Sequence, residues 1–294
     1  MTSETAMQSA ETLAALRVAA IYEHRLVDRC EDPFAPYFLG TKLRILTKLK
    51  PRSLLPKLLE LVAPGSYCFA IARTRHFDEA LRTELNAGAT QVVIPGAGYD
   101  SRAYRMSHVL GKVRVFEVDH PATQQRKRRL LKDAAIEPPA TLTYVPADLN
   151  RVELAEALAD AGFDQSQRTI FLWEGVSYYL PQAAVDAVLR LVACCVGGSS
   201  IVFDYAIRSF VEGDTSTHGG KQVAKWLKKI GEPFLFGLPP SDTEAFLAER
   251  GLRLVSDLSP EDLEQAYLTT HAGGSLGRTL GHVRVAFARV PAMS

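Results

Sequence analysis

Gly96 and Gly98 close an apolar run, Val92 to Ile94, and two glycines there let the backbone turn tightly and come close to a ligand. About twenty residues later a second apolar run, Val113 to Val118, brings Glu117 and Asp119. A carboxylate at that distance can accept both hydroxyls of a ribose. A dinucleotide fingerprint would need a third glycine where Ser101 stands, and Tyr99 and Asp100 after the second glycine would crowd and repel a pyrophosphate. The spacing therefore argues against NAD and for a nucleoside without phosphate, of which S-adenosylmethionine is the fitting example. A bare G-x-G at a strand end is equally compatible with a plain turn, so the weight rests on the downstream strands.

Three further apolar runs end in acids: Leu142 to Asp148, Ile170 to Glu174 and Ser200 to Asp204. Helical patterns at Arg151 to Asp160 and Pro181 to Val192 separate them. Strands alternating with helices predict an α/β fold, a doubly wound and mostly parallel sheet with its carboxylates along one edge. Two more strands come after these, Leu252 to Asp257 and His282 to Val290, the second alternating apolar and polar residues. Seven strands closing in an antiparallel hairpin are the class I methyltransferase variant of the Rossmann-like fold, with helices on both faces.

Four segments, VVIPGAGYDSRAYR, FEVDHPATQQRKR, PADLN and WEGVSYYL, resemble in order the signature blocks of the leucine carboxyl methyltransferase family. The likeness covers roughly residues 65 to 205 and is greatest to the bacterial branch that includes tetracenomycin-type polyketide O-methyltransferases. It implies a class I enzyme using S-adenosylmethionine, with Arg73 on the methionine carboxylate and Gly96, Ala97 and Gly98 beneath the cofactor. Asp119 would hold the ribose, with His120 beside it, while Asp148 and the Leu149 backbone address the adenine. Glu174 would sit near the methionyl end and Tyr179 would face the transfer. The chemistry is consistent, because a carboxylate seeks a guanidinium fork and a sulfonium seeks acceptors or aromatic faces. Pro95 and His120 depart from the family pattern, which has small or apolar residues there.

Composition narrows the rest. The chain has 294 residues, 47% hydrophobic and 23% charged, with a net charge of +1. One elaborated domain is expected, and no basic excess points to nucleic acid or to a membrane surface. The basic run Arg126 to Arg129 reads as a solvated helix face. Cys30, Cys68, Cys194 and Cys195 have no metal-ligand spacing and are expected to be reduced, the last two in the core. A polar, acidic start without an apolar segment predicts a cytoplasmic protein.

Two segments fall outside the sheet pattern and are expected to form lids over its carboxyl edge. The first is residues 1–85, with an amphipathic helix at Leu13 to Val27 and short Pro-punctuated helices at Pro33 to Lys57. The second is an insertion at about 206–242 within the cofactor-binding core, 86–294; its apolar residues include Trp226 and Phe234 to Phe236. The function expected is O-methylation of a carboxylate or phenolic hydroxyl on a small, polyketide-like acceptor. Carboxyl methylation of a protein or peptide C-terminus and cofactor binding without catalysis are the alternatives. A carboxylate acceptor needs no base, whereas a phenol with pKa near 10 is only about 0.1% ionised at neutral pH. Of the seven histidines, His218 in the insertion is the candidate base.

Overall fold

The computed structural model describes residues 3–29, 31–40, 60–61, 63–150 and 154–292, with side chains from residue 10 onward. Cys30 and the short helices expected beyond residue 40 lie outside the described residues.

The sheet contains β1 (Gln91–Pro95), β2 (Arg114–Asp119), β3 (Leu142–Pro146), β4 (Thr169–Trp173), β5 (Ser200–Ile207), β6 (Gly237–Leu238), β7 (Arg253–Leu258) and β8 (Val283–Arg289). Their order is β3-β2-β1-β4-β5-β8-β7, and β6 adds a two-residue parallel pairing to the end of β5. The first five run parallel, while β8 is antiparallel to both β5 and β7. The fold is therefore the class I methyltransferase α/β sheet expected from the sequence, with β6 as the one strand the pattern does not announce. Chain direction across the sheet reverses between β1 and β4, and such a switch point opens a crevice at the carboxyl ends of the strands.

The period-two geometry of strands sorts the core into two layers. Val92, Ile94, Leu172 and Val202 face one layer, with α1 (Ser3–Ile21) and α2 (Ser66–Asn86) packed on it. Val93, Phe171, Phe203 and Ile201 face the other, against α4 (Gln182–Ala193); α3 (Pro121–Asp133) comes after β2. β1 and β4 are buried along their whole length, which is why they read as unbroken apolar runs.

The first helix departs from its expected form. It ends at Ile21 rather than Val27, and Leu16 to Ala20 are all buried, so its second half has no solvated stripe. Beyond it Glu23 binds Arg25 and Tyr67, and Leu26 bridges to Thr270, pairings that hold the chain out of the helix. Among the described residues, no helix is long and apolar enough to cross a membrane.

Candidate functional site

A cavity opens at the switch point, and the turn after β1 forms its floor. Gly96 (φ 65°) and Gly98 (φ 50°) both adopt the left-handed conformation. A Cβ on Gly96 would lie 2.5 Å from a methyl of Val176, so only glycine lets the loop after β4 approach. The Ala97 N–H donates to the Val118 carbonyl at 3.0 Å, tying the turn to β2.

Asp119 leaves the end of β2 with one carboxylate oxygen accepting from the Gly98 N–H (2.5 Å) and the other from the His120 N–H (2.6 Å). Burial raises its pKa even though both N–H groups favour the anion. His120 lines the cavity and starts α3, its Nδ1 accepting from the Ala122 N–H at 3.2 Å. Asp148 and Leu149 reach the same cavity from the end of β3, and Asp148 accepts from the Asn150 backbone and side chain at 3.0 and 2.9 Å.

The other end is built on charge. Arg73 projects from α2, 2% exposed, with Nη1 2.6 Å from Asp204 and Nε 3.1 Å from Glu174. Burial alone would lower its pKa, but the two carboxylates outweigh burial and raise it. Nη1 also donates to the Tyr178 hydroxyl at 3.4 Å, whereas Nη2 donates no hydrogen bond among the described residues. Glu174 is shared with Arg102 Nη2 at 2.7 Å, and Arg102 pairs in turn with Asp100 and with Asp78 at 2.7 Å. Asp78 also holds Arg105 at 2.6 Å. Burial works against ionised Glu174, yet Arg102 and Arg73 bring its pKa below the ordinary value. Charges taken from water at this depth persist because each is matched on several sides.

Arg73, Gly96, Ala97, Gly98, Asp119, His120, Asp148, Leu149, Glu174 and Tyr179 thus all line one cavity. His218 does not line it. Its Nε2 lies 3.7 Å from Glu60, and its carbonyl accepts from the Gly281 N–H at 3.0 Å. None of residues 206–242 lines the cavity. The cover comes from α1 instead, through Ala10, Leu13 and Arg17; Ala10 is 3.6 Å from where a Cβ on Gly98 would stand.

Arg17 is a site residue that sequence reading passed over. It donates to the Tyr99 carbonyl at 2.9 Å and pairs with Asp32 at 3.5 Å. The signal was a lone cation in the apolar run LAALRVAAIY. The basic run on α3 needs correcting as well. Arg128 and Arg129 are exposed, but Lys127 is 1% exposed, 2.6 Å from Glu117 and within 2.5 Å of the Asp100 carbonyl. Glu117 faces inward, where burial pushes its pKa up to about 7, and a cation from α3 is needed beside it.

Residues 10–193 match the sequence profile of the leucine carboxyl methyltransferases. The chain belongs to the leucine carboxyl methyltransferase family. A relative in Bacillus subtilis, YktD, provisionally named an S-adenosyl-L-methionine-dependent methyltransferase, is 34% identical over 200 residues, 68% of this chain and 66% of its own. A Mycolicibacterium vanbaalenii protein with the same provisional name is 44% identical over 135 residues, 46% of this chain and 44% of its own. The matched stretches therefore span between less than half and about two thirds of these family members. In fold, the chain is similar to a provisionally named methyltransferase from Thermobifida fusca (TM-score 0.59, 18% identity, 93% of this chain and 94% of that one).

Proposed function

We propose that the protein is an S-adenosylmethionine-dependent O-methyltransferase acting on a carboxylate or phenolic hydroxyl of a small, polyketide-like molecule. The observation that carries the reading is the cavity in which a guanidinium, a glycine cradle, a ribose-type carboxylate and a tyrosine converge from separate elements. The residues fit S-adenosylmethionine. The Gly96 turn leaves room that a side chain would fill, Arg73 keeps Nη2 for a carboxylate, and Asp119 retains lone pairs beyond the two N–H groups it binds.

When bound, S-adenosylmethionine supplies a methyl carbon on a sulfonium, open to in-line attack. Arg73 and Glu174 would orient the methionyl end, Asp119 the ribose, and Asp148 with the Leu149 backbone the adenine. Tyr179, Val176 and Leu180 shape the opposite wall, and α1 excludes water, so positioning supplies much of the rate. A small acceptor suits a cavity covered by Ala10 and Leu13. A peptide C-terminus is the alternative acceptor, in keeping with the family's name.

Calorimetry with S-adenosylmethionine, its demethylated product and NAD tests the first step. Binding of NAD alone would refute the reading. Base treatment of a radiolabelled product then separates ester from ether, since only an ester releases methanol.

A further inference from the structure

Glu174 is held from two sides, and of the two cations paired with it only Arg73 lines the cavity; Arg102 does not. Arg102 opens the short helix Arg102–Arg105 after the glycine turn and is 1% exposed. Each of its three side-chain nitrogens addresses a different carboxylate. Nε lies 2.7 Å from Asp78, Nη1 reaches Asp100, and Nη2 lies 2.7 Å from Glu174. Nη2 also comes within 3.5 Å of the Thr74 carbonyl, and the guanidinium carbon sits 5.6 Å from the centre of the Phe77 ring. Thr74, Phe77 and Asp78 all belong to α2, the helix that carries Arg73. α2 therefore grips Glu174 twice, directly through Arg73 and indirectly through Arg102.

Arg73 does not serve Glu174 alone. Its Nη1 is 2.6 Å from the fully buried Asp204, so its charge is divided between two carboxylates. The charges felt at Glu174 are those of Arg102 and Asp100 after β1, Arg73 on α2 and Arg17 on α1, while Asp204 lies on the far side of Arg73 and is itself disfavoured as an anion by Glu174. Arg102 does most to favour the Glu174 anion, ahead of Arg73 and against both burial and Asp100. The two guanidinium groups address one oxygen each, and a carboxylate has about four lone-pair sites. Glu174 lines the cavity with 12% of its side chain exposed, so it retains acceptor capacity for a cation bound there.

We infer that Arg102 is a positioning residue for the methyl donor: it fixes Glu174 in one place and as an anion, ready to pair with the α-ammonium of the donor's methionyl group. The inference rests on the methyl-donor reading of the cavity and adds to it a residue that the donor does not touch. Arg73 keeps Nη2 for the α-carboxylate, so the two arginines divide the methionyl end between them. A lysine in place of Arg102 would supply the charge without the geometry, because an ammonium is a point charge and a guanidinium a rigid planar fork. Charge and position can therefore be separated by substitution.

The test uses the full chain, with calorimetry of S-adenosylmethionine binding and NMR of isotope-labelled glutamate carboxyls, the Glu174 signal being assigned by its loss in Glu174→Gln. Without donor, the wild-type Glu174 carboxyl should titrate below the ordinary glutamate value of about 4.3. Titration at or above that value overturns the inference even where no variant folds. Arg102→Lys should keep Glu174 ionised at neutral pH yet weaken donor binding by about tenfold or more, the size of one charged hydrogen bond. The same substitution in a Glu174→Gln background should change donor affinity by less than about twofold, because Arg102 acts through Glu174. Arg102→Gln should raise the Glu174 titration, so that donor affinity falls about fivefold further than in the wild type between about pH 7.5 and about pH 5. Asp119 and His120 line the cavity in both proteins, so the difference between the two profiles isolates Glu174. An arginine that only stabilises the fold would lower Tm and leave donor affinity and the carboxyl titration unchanged. That result overturns the inference, as does an equal loss from Arg102→Lys in both backgrounds. Failure of the wild type to bind the methyl donor would instead remove the methyl-donor reading and this inference with it.

Discussion

Two regions outside the sheet, the N-terminal helix and the insertion at 206–242, look alike in sequence as candidate lids and differ in what they touch. α1 places Ala10, Leu13 and Arg17 in the cavity, beside the glycine turn. The insertion places nothing there; Phe234 leans on Tyr178 and Tyr179 from behind, while His218 and Gly219 pack against Pro64, Gly65, Leu280 and Gly281. The difference divides the labour of closure. On the proposed reading the helix covers the donor half of the site, and the insertion backs the tyrosine wall that an acceptor would meet.

The most severe way to break this division is to remove the buried cation at the charged end of the cavity. Arg73→Ala leaves Asp204 and Glu174 buried with less counter-charge, and a loss of about 3–5 kcal/mol in urea-denaturation stability is expected, well beyond the loss of a cofactor contact. Full stability in that variant would show the network to be dispensable.

Acid should loosen the insertion before the helix. His282 is fully buried, stacked 3.9 Å from Phe210 and 3.3 Å from the Thr217 hydroxyl, and burial lowers its pKa to about 4. The unfolded chain takes up that proton near pH 6.5 and the folded chain near 4, so this contribution is complete above 6.5 and lost as pH falls towards 4. Up to about 3 kcal/mol is at stake over that window. His282→Gln should flatten the stability profile there, and hydrogen exchange should show residues 208–220 opening ahead of α1.

A paired substitution sharpens the contrast. Ala10→Leu crowds the turn at Gly98 and should weaken S-adenosylmethionine binding by about 1–3 kcal/mol in calorimetry. Phe234→Ala should leave donor affinity unchanged and raise the acceptor KM. A common effect of both variants on donor affinity would erase the distinction between the regions. The smallest effect belongs to His218→Ala, expected within about 0.5 kcal/mol of wild type in stability and silent in turnover, because the side chain contacts Glu60 and not the cavity.

What could be read in the sequence was local in origin. β1, β2, β4 and β5 show as apolar runs because β1 and β4 are buried throughout and β2 and β5 all but at their ends, and β8 alternates because successive residues face different neighbours. The glycine turn and the acid of β2 stand close enough in sequence to be read as one device. Strand order could not be read that way, nor could β6, whose two residues carry no period. Long-range pairing hid the rest. The buried partners of Arg73 could not be read because Asp204 lies 131 residues further on, and Lys127 looked solvated because its partner Glu117 is on another element. The role of α1 in the cavity was hidden because an apolar helix reads the same whether it covers a core or a ligand.

The long reach of the Arg73 pairing matters while the chain is being made. At roughly 5–20 residues per second, the 131 residues separating Arg73 from Asp204 take on the order of ten seconds to emerge from the ribosome. For that time α2 carries an apolar face and a cation that lacks one of its two permanent counter-ions, and lacks both until Glu174 emerges. β1 and β2 can emerge and pair, but the cavity at the switch point lacks Glu174 until β4 has been made, and Arg73 lacks Asp204 until β5 arrives. A nascent chain halted before Asp204 should therefore hold a recognisable half-sheet, bind no donor and depend on a chaperone to keep α2 from other surfaces.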